Sequence, residues 1–435
     1  MASRAGRADR QSVAFVCRGH PLVTATHDKT VEITRDTEIS RRATCVVGVA
    51  SEHDDRALLD LRGMVEVTLE CDGVRDAFTA TISPFFLGDS SLVLRRGPGL
   101  RGRTLAFDAS KTAADLDRAL IARLALSGSE LRVTITATGA VRTNGALFVV
   151  SLPIGNDGDI GRRAVEVLER VDLVLAEDTR RLRALGQRIG ADFARAASYH
   201  DHNETDRVEG VLERLRNGER LALVSDAGTP LCSDPGYVVV SQAVAEGIPV
   251  VPVPGPSAVL AVLAASGLPV ERFVFGGFLP RRSSQRQQVV RDLTALGCAV
   301  VFYEAAPRLA ATLADIAAAC PEWRACFGRE VTKTFEEFRS GGVRQMAAEI
   351  ATEKLLGECT LVIAPPPRDS DAGDASARVG AASQGEIDDL LRSLLAQGVP
   401  ASTLAQALRA LPGVGRNQAY DRVLALSREP QPRRR

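Results

Sequence analysis

The chain has 435 residues, 45% hydrophobic and 25% charged, a balance typical of folded domains with real cores and enough length for roughly two to four of them. Its 54 basic and 54 acidic residues cancel, so no overall field draws in nucleic acid, and any RNA contact must come from local patches. No stretch has the length of a membrane span, the polar N-terminus MASRAGRADR lacks a signal segment, and the eight cysteines include no C-x-x-C pair. A soluble, cytoplasmic protein with reduced and mostly buried thiols is expected. Arginine outnumbers lysine fifty to four; RNA binding would produce that skew, but GC-rich coding accounts for it more simply.

In chain order, residues 12–138 carry β signals. Thr30–Thr34, Ala43–Ala50, Met64–Glu70 and Leu131–Ala137 are rich in β-branched residues, and Ala113–Leu126 has apolar residues at helical spacing. An α+β, β-rich domain is expected. Within it, His20 and His27 stand seven apart with Glu32 nearby. A metal or catalytic site is one reading, and structural histidines are the favoured one. The small polar segment Thr138–Gly145 marks a boundary.

From Ala146 strands and helices alternate. Strands are expected at Ala146–Leu152, Leu173–Ala176, Arg220–Val224, Ile248–Val253, Arg272–Phe275, Ala299–Tyr303, Arg324–Arg329 and Cys359–Ile363. Helices are expected at Asp159–Val171, Ser283–Leu296 and Pro307–Ala319. Such alternation implies an α/β domain with a largely parallel sheet. Two strands run straight into glycine- and proline-rich turns, SDAGTPLCSDPG from Ser225 and PGPSA from Pro254. Glycine removes the side chain and proline fixes the path, so such turns let the backbone itself face a ligand. The proline-rich, low-complexity stretch 366–384 reads as a linker. Residues 385–427 read as a small helical, RNA-binding-like domain with helices at Ile387–Leu395, Ala401–Leu411 and Asn417–Leu426, the turn LPGVGRNQ at their corner, and a basic tail behind them.

The first strand of this α/β part ends in SLPIGN, which is not a G-x-G-x-x-G, and no acidic residue follows at ribose-binding spacing, so a dinucleotide site is disfavoured. A phosphate-binding G-x-x-x-x-G-K-[ST] is absent, and no cluster has metal-ligand spacing; no metal is expected. What remains is a series of loops at strand ends: LPIGN, AEDTR, SDAGTPLCSDPG, PGPSA and FYEAAPR, followed by REVTKT.

In that order, these strings resemble the tetrapyrrole methylase superfamily of S-adenosylmethionine enzymes. The match is closer to its ribosomal RNA small subunit methyltransferase I branch, over about residues 146–430. The resemblance implies a two-lobed α/β methylase domain at 146–365, with lobes of about 146–254 and 255–365 and the cofactor between them. It also implies methyl transfer to the ribose 2′-oxygen of a decoding-region cytidine in 16S rRNA, with the small-subunit rRNA or 30S subunit as partner and a homodimer as the working form. For S-adenosylmethionine it suggests Leu152, Ile154, Thr229, Cys232, Ser257, Ala258, Tyr303, Gly328 and Thr360. Methyl transfer must align the reacting atoms and remove a hydroxyl proton, which makes Asp178, Glu204, Asp226 and Lys333 the catalytic candidates. Arg180, Arg181, His202 and Asn203 are the candidates for holding RNA. Bland roles stand beside these: Asp178–Arg181 can cap and charge a helix, and Asp226 can bond its own loop. The alternatives are another acceptor on the same fold, a corrin ring or a diphthamide precursor, or a non-catalytic assembly factor. The N-terminal part resembles an uncharacterised, mostly archaeal domain, which carries no activity with it.

Overall fold

The computed structural model describes residues 11–97, 103–139, 145–366, 388, 391–395, 399–408 and 416–428. It divides into two compact units, residues 1–366 and 367–435.

The first unit begins with an eight-stranded sheet. Its strands are β1 (Ser12–Arg18), β2 (Thr30–Thr34), β3 (Val46–Gly48), β4 (Met64–Cys71), β5 (Val74–Ile82), β6 (Ser91–Arg95), β7 (Thr104–Phe107) and β8 (Glu130–Ala137). The order is β1-β8-β4-β5-β7-β6-β2-β3. The strands alternate buried and exposed residues, as a sheet with one face on a core requires. Between β4 and β5 the two turn residues, Asp72 and Gly73, both have positive φ (44° and 75°), the geometry of a tight hairpin. The sheet's edges meet just past β3: Arg18 and Val49 exchange backbone bonds of 2.7 and 2.8 Å, so the sheet closes on itself. Two short helices, α1 (Asp55–Leu59) and α2 (Arg118–Leu124), complete the domain.

Two expectations change here. The strand expected at Ala43–Ala50 shortens to Val46–Gly48. The helix expected over Ala113–Leu126 is a 3₁₀ turn at Ala113–Asp115 and then α2. Asp117 separates them, because its carboxylate takes the Ala119 N–H at 2.7 Å and starts a new helix. The histidines are held locally. His20 Nδ1 accepts the Leu22 N–H, His27 Nδ1 bonds the Lys29 N–H and the Thr30 hydroxyl, and Glu32 accepts the Cys45 thiol.

The α/β part that follows has two lobes. Lobe 1 contains β9 (Ala146–Val150), α3 (Arg162–Arg170), β10 (Leu173–Ala176), α4 (Thr179–Ile189), β11 (Ala196–Ser198), α5 (Glu204–Arg216), β12 (Arg220–Val224), α6 (Tyr237–Ala245) and β13 (Val250–Val253). Its sheet, β11-β10-β12-β9-β13, is parallel throughout. The central strands are almost wholly apolar because helices cover both faces; Phe148, Val150 and Val174 pack on one side, Leu147, Leu175 and Leu221 on the other.

Lobe 2 contains α7 (Ala258–Ala265), β14 (Phe273–Phe278), α8 (Ser283–Thr294), β15 (Ala299–Ala305), α9 (Leu309–Ala319), β16 (Arg324–Arg329), β17 (Glu337–Gly342), α10 (Val343–Glu349) and β18 (Glu358–Ala364). Here the expectation of a largely parallel sheet fails. In the order β14-β15-β18-β16-β17 only β14 and β15 run parallel. A strand buried on both faces reads as an apolar run in either direction, and the β16–β17 hairpin, joined by residues 330–336, was hidden in a polar stretch.

The N-terminal domain sits against the end of lobe 1 where strands begin. Phe85 and Leu87 pack on the lobe 1 core, and Arg220, the first residue of β12, donates Nη1–H to Leu59 O at 2.8 Å. In the second unit, residues 391–395 are helical, followed by α11 (Ala401–Leu408) and α12 (Arg416–Arg428), around a core of Leu391, Leu404, Leu408 and Val423. The expected linker, the centre of the LPGVGRNQ turn, residues 140–144 of the boundary segment and the basic tail past Arg428 lie outside the described residues. Among the described residues no helix is long and apolar enough to cross a membrane.

Candidate active site

The loops leaving the C-terminal ends of β9, β12 and β13 converge, the position where open parallel sheets hold ligands. Leu152 and Gly228 exchange backbone bonds of 2.9 and 3.0 Å, and Gly228 takes a φ of 76° to do so. The hydroxyls of Ser151 and Thr229 are 2.9 Å apart, and Thr229 donates to Pro256 O at 3.2 Å. A Cβ on Gly255 would lie 3.0 Å from Ser151 Cβ, so glycine is what lets the third loop approach. One buried serine and one threonine thus tie three loops together.

The long loop after β12 is bent hard. Leu231 and Ser233 both have φ of 73°, a cost for non-glycine residues, and Gly236 has 119°. Glu204, the first residue of α5, fixes the far end by accepting the Gly236 N–H at 3.1 Å. Cys232 is left exposed, and Asp234 is half-buried beneath it.

Lobe 2 supplies the facing wall. Tyr303 on β15 packs edge-on to Phe275 (5.0 Å) and tilted to Phe278 (5.4 Å). Thr360 lies between Tyr303 and Gly328 in register, and a Cβ on Gly328 would come within 2.7 Å of Val262. Ser257 caps α7 by accepting the Leu260 N–H, with Ala258 as the first helical residue. Ile154 from lobe 1 and Tyr303 from lobe 2 pack against one apolar cluster with Val259, Val262 and Val331. Lys333 binds Glu330 (3.1 Å) and Glu358 (3.0 Å), and its chain lies so close to Gly155 that a Cβ there would be 2.3 Å away. Beside it, Thr332 Oγ1 accepts the Asn156 N–H at 3.1 Å.

The carboxylates fall into two kinds. Asp178 caps α4, accepting the Arg180 N–H at 2.8 Å and both ends of the Arg180 guanidinium, which hold it well below the usual carboxylate range. Asp226 accepts the Asp178 N–H at 3.0 Å and pairs with Arg181 at 3.0 Å. Glu177, by contrast, is pushed up by burial and by Asp226. Asp234 is pushed up to about 6 by burial and by Glu177, with Asp226 and Asp201 adding to it. Burial, with Cys232 and Asp234 close by, raises Tyr303 to about 12. Burial opposes the charge on Lys333, but its bonds to Glu358 and Glu330 prevail and raise its pKa.

The cofactor candidates Leu152, Ile154, Thr229 and Cys232 therefore line the lobe 1 side, Ser257 and Ala258 the start of lobe 2, and Tyr303, Gly328 and Thr360 the opposing strands. Among the polar candidates, Asp178, Asp226 and Arg181 come together at the end of β10 and β12. Asn203 and His202 lie at the end of β11, where Asn203 Oδ1 accepts the His200 N–H at 2.9 Å and His202 is exposed. Lys333 and Glu204 hold loops. Sequence reasoning passed over Ser151 and Asp234. Ser151 looked like an ordinary strand end, and Asp234, placed before Pro235, looked like a turn residue.

Residues 146–347 match the family model of Tetrapyrrole (Corrin/Porphyrin) Methylases, and residues 15–138 match a Domain of unknown function (DUF371). Ribosomal RNA small subunit methyltransferase I of Micromonospora olivasterospora is 40% identical over 281 residues, covering 64% of this chain and 87% of the relative. The protein of the same name from Mesorhizobium japonicum is 42% identical over 283 residues, covering 65% and 92%. Among solved structures, a uroporphyrin-III C-methyltransferase from Thermus thermophilus complexed with S-adenosylhomocysteine aligns with 50% of this chain and 97% of its own. Its TM-score of 0.37 and 17% identity are too low to carry residue roles across. From β9 onward this chain belongs to the ribosomal RNA small subunit methyltransferase I family, a tetrapyrrole-methylase-like α/β domain with a separate β-rich domain in front of it.

Proposed function

We propose that the chain transfers a methyl group from S-adenosylmethionine to the ribose 2′-oxygen of a cytidine in the decoding region of 16S rRNA. Family membership at about 40% identity over most of the relatives' length is the observation that carries this reading. The site fits the cofactor on its own chemistry. Half-buried Ile154 and Tyr303 offer apolar surface from the two lobes, and Gly228 and Gly328 let backbones pack closely behind them, an environment suited to an adenosyl group held by apolar and main-chain contacts. When bound, S-adenosylmethionine supplies a sulfonium methyl to an attacking oxygen.

The chain's own work is alignment and proton removal. Leu152, Ile154, Thr229, Cys232, Ser257, Ala258, Tyr303, Gly328 and Thr360 hold the cofactor, and the Ser151–Thr229–Pro256 tie keeps their loops in one arrangement. For the hydroxyl proton we favour Asp234. Asp178 is charge-paired and held acidic, Asp226 is bound to Arg181, and Glu204 is committed to the Gly236 amide. Asp234 stands free of ion pairs among the described residues, with a pKa of about 6, close to working pH. His202 and Asn203, at the end of β11, are the lobe 1 residues we assign to contact with the RNA. The working form is a homodimer, for which the exposed apolar Tyr237, Val244 and Leu260 on α6 and α7 offer surface.

Calorimetry with S-adenosylmethionine and the purified full chain tests the cofactor, and no binding at millimolar concentration defeats the enzyme reading. In a deletion strain, 2′-O-methylation of the decoding region is expected to disappear. Unchanged methylation there, with transfer to a corrin or protein acceptor instead, would move the assignment to another acceptor on the same fold.

A further inference from the structure

The arginines first expected to hold RNA are already occupied. Arg180 is wrapped on Asp178 and Arg181 is paired with Asp226. A second arginine pair lies on the other side of the cleft, directly after β14. Arg281 and Arg282 are exposed, and among the described residues neither meets a carboxylate.

The loop that carries them is held unusually firmly. Arg308 donates to Leu279 O at 2.8 Å and to Pro280 O at 3.1 Å. Arg286 donates to Pro280 O and Arg281 O, both at 3.3 Å. Each clamping guanidinium is itself anchored by a buried carboxylate. Arg286 binds Asp315 at 2.7 Å, and Arg308 binds Glu304 at 3.2 Å, with Glu304 also accepting the Thr312 hydroxyl at 2.6 Å. Committing one buried and one half-buried ion pair to fix three consecutive carbonyls on a surface loop brings little stability in itself. It does pre-organise whatever the loop presents.

What it presents is placed at the mouth of the site. Phe278, the last residue of β14, pairs in register with Tyr303 and leans on its ring, yet is 61% exposed. The preceding Gly277, at φ 62°, brings this segment against the long lobe 1 loop, where a Cβ would lie 3.6 Å from Ser233 Oγ. An exposed ring followed within four residues by two uncommitted guanidinium groups is the chemistry of a single-stranded nucleic-acid site, a stacking face beside phosphate-binding cations.

We propose that Phe278, Arg281 and Arg282 form an RNA-gripping element at the lobe 2 side of the cleft. An unstacked base lies on the Phe278 ring, and neighbouring phosphates lie on the two arginines. This rests on the reading of the chain as an RNA methyltransferase, and it moves the phosphate contacts away from Arg180 and Arg181. It also answers how a chain of zero net charge meets RNA, by a local pair of cations kept clear of carboxylates.

The test uses the full chain and a single-stranded, cytidine-containing RNA oligonucleotide, with affinity followed by fluorescence anisotropy over a range of salt. The double variant Arg281→Ala/Arg282→Ala is expected to lower the slope of log affinity against log salt by about 1.4, about 0.7 for each phosphate lost. Lysines at both positions are expected to restore the slope. Phe278→Leu, which keeps an apolar side chain against Tyr303 but removes the ring, is expected to weaken binding about tenfold with the slope unchanged. Retained calorimetric binding of S-adenosylmethionine shows that each variant is folded. Wild-type affinity and slope in the folded variants would overturn the proposal. So would a Phe278→Leu change that alters sedimentation but not RNA affinity, since the ring would then face a second copy of the chain. A wild-type chain that binds the oligonucleotide as expected but not S-adenosylmethionine would defeat the methyltransferase reading and leave the RNA site standing.

Discussion

Where β10 and β12 begin, lobe 1 gathers two arginines around one carboxylate; where the same strands stop, it gathers carboxylates and leaves some of them without a cation. At the lower end Asp172 takes Arg62 Nη2 on both oxygens at 2.9 and 3.0 Å, and the Arg220 N–H at 2.7 Å. The Arg220 guanidinium beside it is buried and reaches across to Leu59 O. At the upper end Glu177, Asp226 and Asp234 crowd together, with Arg181 bonded to Asp226. The Asp172–Arg62 pair at one end joins two domains, while crowded acidity at the other keeps a carboxylate ready to take a proton. Stability and reactivity are separated along a single sheet.

The strongest way to break this contrast is Asp172→Ala. It strips the half-buried Arg62 of its ion-pair partner, the Arg220 N–H of its acceptor and the buried Arg220 guanidinium of a nearby opposing charge, a change expected to cost about 3 kcal/mol in urea denaturation. Binding of S-adenosylmethionine below the unfolding transition should be unaffected. A weakened cofactor site in the folded variant would show that the two ends are not independent.

Asp234→Asn acts at the other end with the opposite sign on stability. The folded-state pKa of about 6 lies above the ordinary carboxylate value, so the folded chain keeps this proton longer than the unfolded chain does. Stability from this group therefore falls as pH rises from the carboxylate range through about 6, and stays lower above it. The asparagine variant is expected to melt higher than wild type at neutral pH, with the gain vanishing near pH 4. Its kcat should drop about a hundredfold while cofactor affinity persists. Wild-type activity should fall below an apparent pKa of about 6. An unchanged kcat would remove Asp234 as the proton acceptor.

Much of this was legible before any coordinates. The strand-end strings from Leu152 to Tyr303 located the cleft, because all but AEDTR carry a glycine or proline of the kind a backbone-lined turn requires. The β4–β5 hairpin was readable too, from Asp72–Gly73, yet β5 was passed over because Asp76, a charged residue at a buried position, interrupts its apolar alternation. The direction of the lobe 2 strands was not readable, since Ala299–Ala305 and Glu358–Ala364 are apolar runs that pair either way. Nor was the fate of the charged candidates. Arg180 and Arg281 look alike in sequence, and only the placement of Asp178 decides that one is bound and the other is not.

Thr229→Val tests the loop tie at smaller scale. It is nearly isosteric but loses the hydroxyl that meets Ser151 and donates to Pro256 O, leaving the buried Ser151 hydroxyl without this partner. A loss of about 1 kcal/mol is expected, read as roughly a fivefold weaker affinity for S-adenosylmethionine with little change in kcat. Loss of kcat instead would place the hydroxyl in the chemistry rather than in the scaffold.

The smallest effect expected is that of Arg180→Ala. Its guanidinium lies along Asp178 with bonds of 3.0 and 2.8 Å, so its charge is matched before any RNA arrives. A matched cation releases no phosphate counterions, and the salt dependence of RNA binding should not change. Asp178→Asn provides the converse, because it frees that arginine without removing it. The slope should then steepen, by about 0.7 if one new phosphate contact forms. A slope that falls in Arg180→Ala would mean that RNA displaces the carboxylate, returning the phosphate contacts to lobe 1 and ending the contrast with Arg281 and Arg282.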